Sequence, residues 1–143
     1  MRIHIGLILI EKEMKRILII LMAVIQLLFP TGCCRWDEAA VRSDESPVIF
    51  PDYKDVTVPY NIAPLNFMIE GADRLQARFI LDGKTSLDVI GKDGIADIPE
   101  KEWAGLLELA KGAKLTVEVS MWNDEHPYGV AFKPFEVNVS GNK

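Results

Sequence analysis

A small antiparallel β-sandwich carrying one short helix is the architecture that residues 48–140 predict, and three observations predict it. Apolar side chains recur at every second position through several stretches, turn-forming residues separate those stretches, and one window between them follows the helical period instead. A segment of roughly 95 residues holds a single core and not two.

The first elements lie in "FPDYKDVTVPYNIAPLNFMIEG", residues 50–71, where Asp55–Val58 and Asn66–Glu70 read as short strands. Pro51, Pro59 and Pro64 have no N–H to give a ladder, so they belong at strand ends and edges, where they fix the entry of the chain and discourage pairing with other chains. Tyr53 and Tyr60 in the same segment are read in two ways, as edge-fixing residues or as an exposed aromatic ledge for a partner or a sugar.

"RLQARFIL", residues 74–81, sets Leu75, Ala77, Phe79 and Leu81 on one face against Arg74, Gln76 and Arg78 on the other. Asp82-Gly83 suits the two positive φ values of a type I′ turn, and "TSLDVIG" returns with Leu87 and Val89 inward, giving a hairpin. A helix is predicted over residues 97–112. Asp97 and Glu100 have capping-box spacing, Pro99 falls in the first turn, and Trp103, Leu106, Leu107 and Ala110 form one apolar stripe that ends before Gly112.

"KLTVEVSMW", residues 114–122, alternates again, with Leu115, Val117, Val119 and Met121 inward. "FEVNVS" repeats the pattern with Phe135, Val137 and Val139, and the Asn, Asp, Pro and Gly of residues 123–129 make the turn of a second hairpin. Two hairpins with a helical crossover describe an immunoglobulin-like sandwich. The Cys-Trp-Cys signature of true immunoglobulin domains is missing, so stability rests on core aromatics and aliphatics.

Ahead of this domain, "MRIHIGLILIEKEMKRILIILMAVIQLLFPTGCC" holds two apolar stretches separated by Glu11, Lys12 and Glu13. The second, Ile17–Phe29 behind Lys15 and Arg16, has the size of a signal-peptide core and is shorter than the roughly 20 residues of a transmembrane helix, which points to Met14 as the real start. Pro30-Thr31-Gly32-Cys33 resembles a bacterial lipobox: Gly32 and Cys33 match, whereas Pro30 stands where a leucine-like residue is usual, and Cys34 is a competing site. Residues 1–33 are therefore expected to be a lipoprotein signal peptide with lipidation at Cys33. A plain secretory signal and an uncleaved anchor are the alternatives. Residues 34–47, charged and small, read as a linker, and 141–143 as a tail.

Charge narrows the partners. The full chain of 143 residues carries 16 bases against 21 acids, and loss of residues 1–32 leaves a net charge near −7. Such a chain repels phosphate backbones and lacks the Lys and Arg cluster that nucleic acid requires.

"PDYKDVTVPYNIAPLNF", "PEKEWAGLLELAKGAKLTVEV" and "KPFEVNV" together resemble the N-terminal domain of a group of Bacteroidota envelope lipoproteins, with Asn61–Phe67 the most specific part. The resemblance covers most of residues 47–139. It implies an immunoglobulin-like domain followed by a TolB-like β-propeller, which would begin where this chain stops at Lys143. It lends no catalytic residue to these positions.

Chemistry leaves little to work with. Past the lipidation region His126 is the single histidine, set in a turn among Asp124, Glu125 and Pro127, so a zinc site, a Ser-His-Asp triad or a Cys-His pair has too few members. Asp82, Asp88, Asp93 and Asp97 are close in sequence but spread over turns and solvent faces, and "GKDGIAD" lacks the oxygen spacing of an EF-hand. No phosphate-binding glycine loop is present, and Asn138-Val139-Ser140, although it fits an N-glycosylation pattern, reads as a strand face. Trp103 belongs to the core stripe. Trp122 falls on the polar phase of its strand and, with Tyr128, is expected to form an exposed aromatic patch unless the 123–129 turn covers it.

The function expected is that of a non-enzymatic protein without a cofactor or metal, lipid-anchored in the cell envelope at the outer membrane. Its sandwich would bind a protein partner or space a larger assembly. The alternative is a glycan-binding module using Trp122, Tyr128 and Tyr60, and a carboxylate-dependent hydrolase ranks third.

Overall fold

The computed structural model describes residues 2–28 and 38–142, and it divides into two units, Met1–Asp37 and Glu38–Lys143. The first unit contains one helix, α1 (Arg2–Leu28), which runs unbroken through Glu11, Lys12 and Glu13. Those charges are accommodated along its surface, where Lys15 reaches Glu11 at 3.0 Å and Arg16 reaches Glu13 at 3.3 Å, at the i,i+4 and i,i+3 spacings that face each other on a helix. No helix among the described residues is long and apolar enough to cross a membrane. The lipobox-like run, Cys33 included, lies outside the described residues.

The second unit is mostly β. Its strands, β1 (Val41–Arg42), β2 (Thr57–Pro59), β3 (Phe67–Met68), β4 (Arg74–Leu81), β5 (Lys84–Lys92), β6 (Ile95–Ala96), β7 (Lys114–Trp122), β8 (Val130–Ala131) and β9 (Phe135–Ser140), form one curled sheet, with helix α2 (Glu100–Leu109) between β6 and β7. The order is β1-β8-β7-β4-β5-β6-β3, and β9 pairs with the start of β7 on one side and with β2 on the other.

The period-two stretches form the long strands. β4 pairs antiparallel with β5 from Arg74↔Lys92 to Leu81↔Lys84, and with β7 from Arg74↔Trp122 to Ile80↔Thr116. Asp82 and Gly83 turn the first hairpin at φ +51° and +75°, the two left-handed values that the Asp-Gly pair suggested. Leu75, Ala77, Phe79, Val89, Leu115, Val117, Val119, Phe135, Val137 and Val139 are buried.

Four expectations need correction. The sheet is mixed rather than antiparallel throughout, because β1 runs parallel to β8 and β2 parallel to β9. Parallel neighbours require long connections, and most of the domain lies between the members of each pair. The stretch read as linker belongs to the folded unit from residue 38 onward, and its residues 34–37 lie outside the described residues. Ala40 and Val41 donate to the carbonyls of Tyr128 and Gly129, Ser43 donates to that of Ala131, Lys133 donates to that of Glu45, and Pro47 is buried.

The second hairpin is interrupted. Its return strand is split into β8, paired with Ser120 and Met121, and β9, paired with Lys114–Val117, on either side of Pro134, which cannot donate to a ladder. Finally, the capping box does not form. Pro99 is the N-cap of α2 with no side-chain cap, because Asp97 is drawn to Asn66: Asn66 Nδ2 donates to Asp97 Oδ1 at 3.3 Å while Asn66 Oδ1 accepts from the Ile98 N–H at 2.7 Å. Glu100 and Glu102 in the first turn still face the positive helix end.

Trp103, Leu106 and Leu107 are the buried residues of α2. The chain leaves α2 through Gly112, at φ +72°, whose N–H donates to the Val139 carbonyl at 2.8 Å, so the helix end is tied to β9.

Gly91 is required for packing. A Cβ on Gly91 would run into the backbone oxygen of Ile95 and come within 2.9 Å of Leu75 Cγ, with the tight β5–β6 turn leaving the oxygen no room to move. Gly91→Ala is therefore expected to destabilise the domain by about 2–3 kcal/mol, readable as a lower urea midpoint at unchanged slope. An unshifted midpoint would show that the turn relaxes freely.

Candidate functional site

Three short neighbouring segments place apolar side chains in pairs that point opposite ways. Ile49 is buried and Phe50 exposed, Phe67 and Ile69 are buried while Met68 between them is exposed, and Ala96 is buried while Ile95 is exposed. Alternation along a strand forces this outcome whenever consecutive residues are apolar.

Register then gathers the outward members. Phe50 and Met68 exchange both backbone hydrogen bonds at 2.9 Å, and Met68 stands opposite Ile95. Directly opposed residues carry their Cβ atoms about 4.5–5.5 Å apart, so Phe50, Met68 and Ile95 form one row across three strands. Val48 precedes Phe50 by two residues and points the same way. The exposures are 83% for Val48, 72% for Phe50, 43% for Met68 and 51% for Ile95.

Polar groups border the row. Lys92 stands opposite Ile95 across the turn, and the Asn66–Asp97 hydrogen bond lies one pleat further along. An apolar centre inside a polar rim is the anatomy of a surface that gains by being covered. The row itself holds no acid, base or nucleophile.

Three of the four aromatic residues expected to form a binding surface are buried or half-buried. Trp122 is a correction: it is 8% exposed, and the 123–129 turn covers it. Gly129, at φ +84°, packs its backbone so closely against the indole that a Cβ there would overlap the ring. On the sheet, Arg74 is the cross-strand neighbour of Trp122 and sets its guanidinium 4.2 Å from the ring centroid.

Tyr53 and Tyr60 are also corrected as a free ledge, since both are half-buried and packed against the core. The Lys111 ammonium covers the Tyr60 ring at 4.0 Å and reaches Glu108 at 2.6 Å. The hydrogen bond from Lys111 to Glu108 holds that ammonium above its ordinary pKa. Tyr128 alone of the four is well exposed, at 77%.

The remaining polar candidates serve local structure. The His126 backbone N–H donates to Asn123 Oδ1 at 2.8 Å inside its turn, and Asp82 and Asp93 occupy left-handed turn positions. Asp88 receives both contacts of the Gln76 amide, at 3.0 and 3.1 Å. Among the described residues no three His, Cys, Asp or Glu side chains gather as a metal would require.

Sequence reading missed Phe50, Met68 and Ile95. A signal was present in the adjacent apolar pairs Ile49-Phe50 and Phe67-Met68, only one member of which can face a core in an extended chain. No known protein family and no curated protein matches the chain.

Stability separates the two kinds of aromatic residue. Trp122→Ala should cost about 3 kcal/mol, as for a large packed ring, whereas Phe50→Ser should stay within about 0.5 kcal/mol of the parent in urea unfolding. Equal effects of the two substitutions would contradict the placement of these rings.

Proposed function

We propose that this chain is a lipid-anchored cell-envelope protein whose immunoglobulin-like, non-catalytic domain holds a protein partner through the Phe50–Met68–Ile95 row. The observation that carries the proposal is that row, an uncovered apolar strip with a polar rim on an acidic domain.

Two features support the immunoglobulin-like description. Strands β5-β4-β7-β9-β2 make one row of pairings, and the Phe50 segment, β3 and β6 make a second, shorter one. The parallel β2–β9 pair at the edge is compatible with it, since the first strand of a sandwich can lie beside the last. Phe67, Ile69 and Ala96 of the shorter row and Leu75, Ala77 and Val119 of the longer one all belong to a single core cluster.

The anchor reading rests on the sequence, with its short apolar core, Gly32 and Cys33. Likeness to the envelope lipoproteins adds a second element: the domain would act as the binding or spacing module ahead of a TolB-like propeller, and the outer membrane is the location that goes with it.

A photoreactive amino acid placed at Phe50, and separately at Lys84 as an exposed control, tests the surface in native cells. A discrete protein adduct from position 50 and none from position 84 is expected. Equal labelling from both, or none from either, would end the proposal. Intact mass of the native protein is expected to show Cys33 as the N-terminus carrying a diacylglyceryl group and an acyl chain; an unmodified thiol there would remove the anchor.

A further inference from the structure

The outer face of β4 and β7 carries a second, chemically opposite feature. Residues 38–44, held by the parallel β1–β8 pair, stand beside the strands and enclose a groove of about 290 Å³. Its floor is low because small residues meet there: Ser120 of β7 stands opposite Ala131 of β8, which stands opposite Arg42 of β1.

Charge in the groove is balanced. Arg42, Arg78 and Lys133 line it together with Glu38, Asp44 and Glu118. Glu118 and Asp88 flank Arg78 on the neighbouring strands, and the Arg78 guanidinium lies 3.8 Å from Asp88. An anion would therefore meet as much repulsion as attraction.

One polar group is built into the wall. Gln76 is only 4% exposed on this outward face, and its Nε2 donates to both Asp88 oxygens. That contact fixes the amide at the groove wall. Phe132, half-buried, adds an apolar surface to the lining.

Planar polar side chains of both signs, an amide held in fixed orientation and one aromatic surface in a shallow trough are suited to many hydroxyl groups on a neutral frame. Such a ligand gains from several directed hydrogen bonds and needs no net charge. We infer that this groove binds a neutral oligosaccharide, independently of the apolar row and at a place other than the buried Trp122.

The test uses the full chain in a detergent without a sugar headgroup, titrated with maltohexaose and cellohexaose at millimolar concentration while amide chemical shifts are followed. Saturable shifts centred on Gln76, Ser120 and Arg42 are expected with at least one of the two. Ser120→Trp fills the floor and Arg42→Ala opens the wall; each should weaken binding by about tenfold or more while the protein stays folded. Absence of a response to both sugars would overturn the proposal, as would full binding by both variants. Saturation instead by an oligogalacturonate or by an unrelated hexapeptide would assign the groove to an anionic or peptide ligand and reject the neutral one.

Discussion

Strand β4 is paired on both edges, with β5 from Arg74 to Leu81 and with β7 from Arg74 to Ile80, and its inner face carries Leu75, Ala77 and Phe79 with at most 2% exposure. Trp103 of α2 meets Phe79 edge to face, with ring centres 5.4 Å apart and planes at 71°, an arrangement that aromatic quadrupoles favour. The same indole donates its N–H to the Ile62 carbonyl at 3.2 Å. A buried Trp N–H without a partner would cost about 1–3 kcal/mol, so this bond and the ring packing have to form together. Through Trp103, the central strand, the helix and the Pro-rich entry segment are thus fixed to one another. The stiffness of that segment follows: Pro59 and Pro64 bracket Ile62, reduce the freedom of the chain before folding, and keep the acceptor where the indole needs it.

Legibility of the fold in the sequence followed the range of the interaction responsible. β4, β5, β7 and β9 were readable because side-chain period is a property of a few consecutive residues, and Asp82-Gly83 was readable because its φ values are intrinsic to that pair. β1 and β8, two residues each, have no period to detect; they exist because Ala40, Val41 and Ser43 find carbonyls in a segment about 90 positions away. The capping box failed for a related reason. Asp97 had the right local spacing, but Asn66, a distant residue, offered its amide to the same carboxylate and to the Ile98 N–H.

The site was less readable than the fold. Trp122 has the phase of an outward residue and is outward, yet it is buried, because burial on the outer face depends on what the turn brings back over it. Phe50 and Met68 show the reverse: apolar residues in strands are assigned to a core by habit, and only the cross-strand register shows that these stand outside in a row. A polarity pattern reports which face a residue occupies. It does not report whether that face is covered.

The two outward surfaces differ in construction as well as in chemistry. The apolar row is made by the Phe50 segment, β3 and β6, and the polar groove by β1, β4, β7 and β8, so they have no strand in common. What joins them is β5, paired with β4 along its length and with β6 only at Lys92↔Ile95, next to the Gly91 contact. Sites that share neither residues nor strands couple only when a two-state element links them, and a core strand paired in fixed register offers no second arrangement. Occupation of the row should therefore leave affinity in the groove unchanged, and a partner held on one surface would leave the other free for its own ligand.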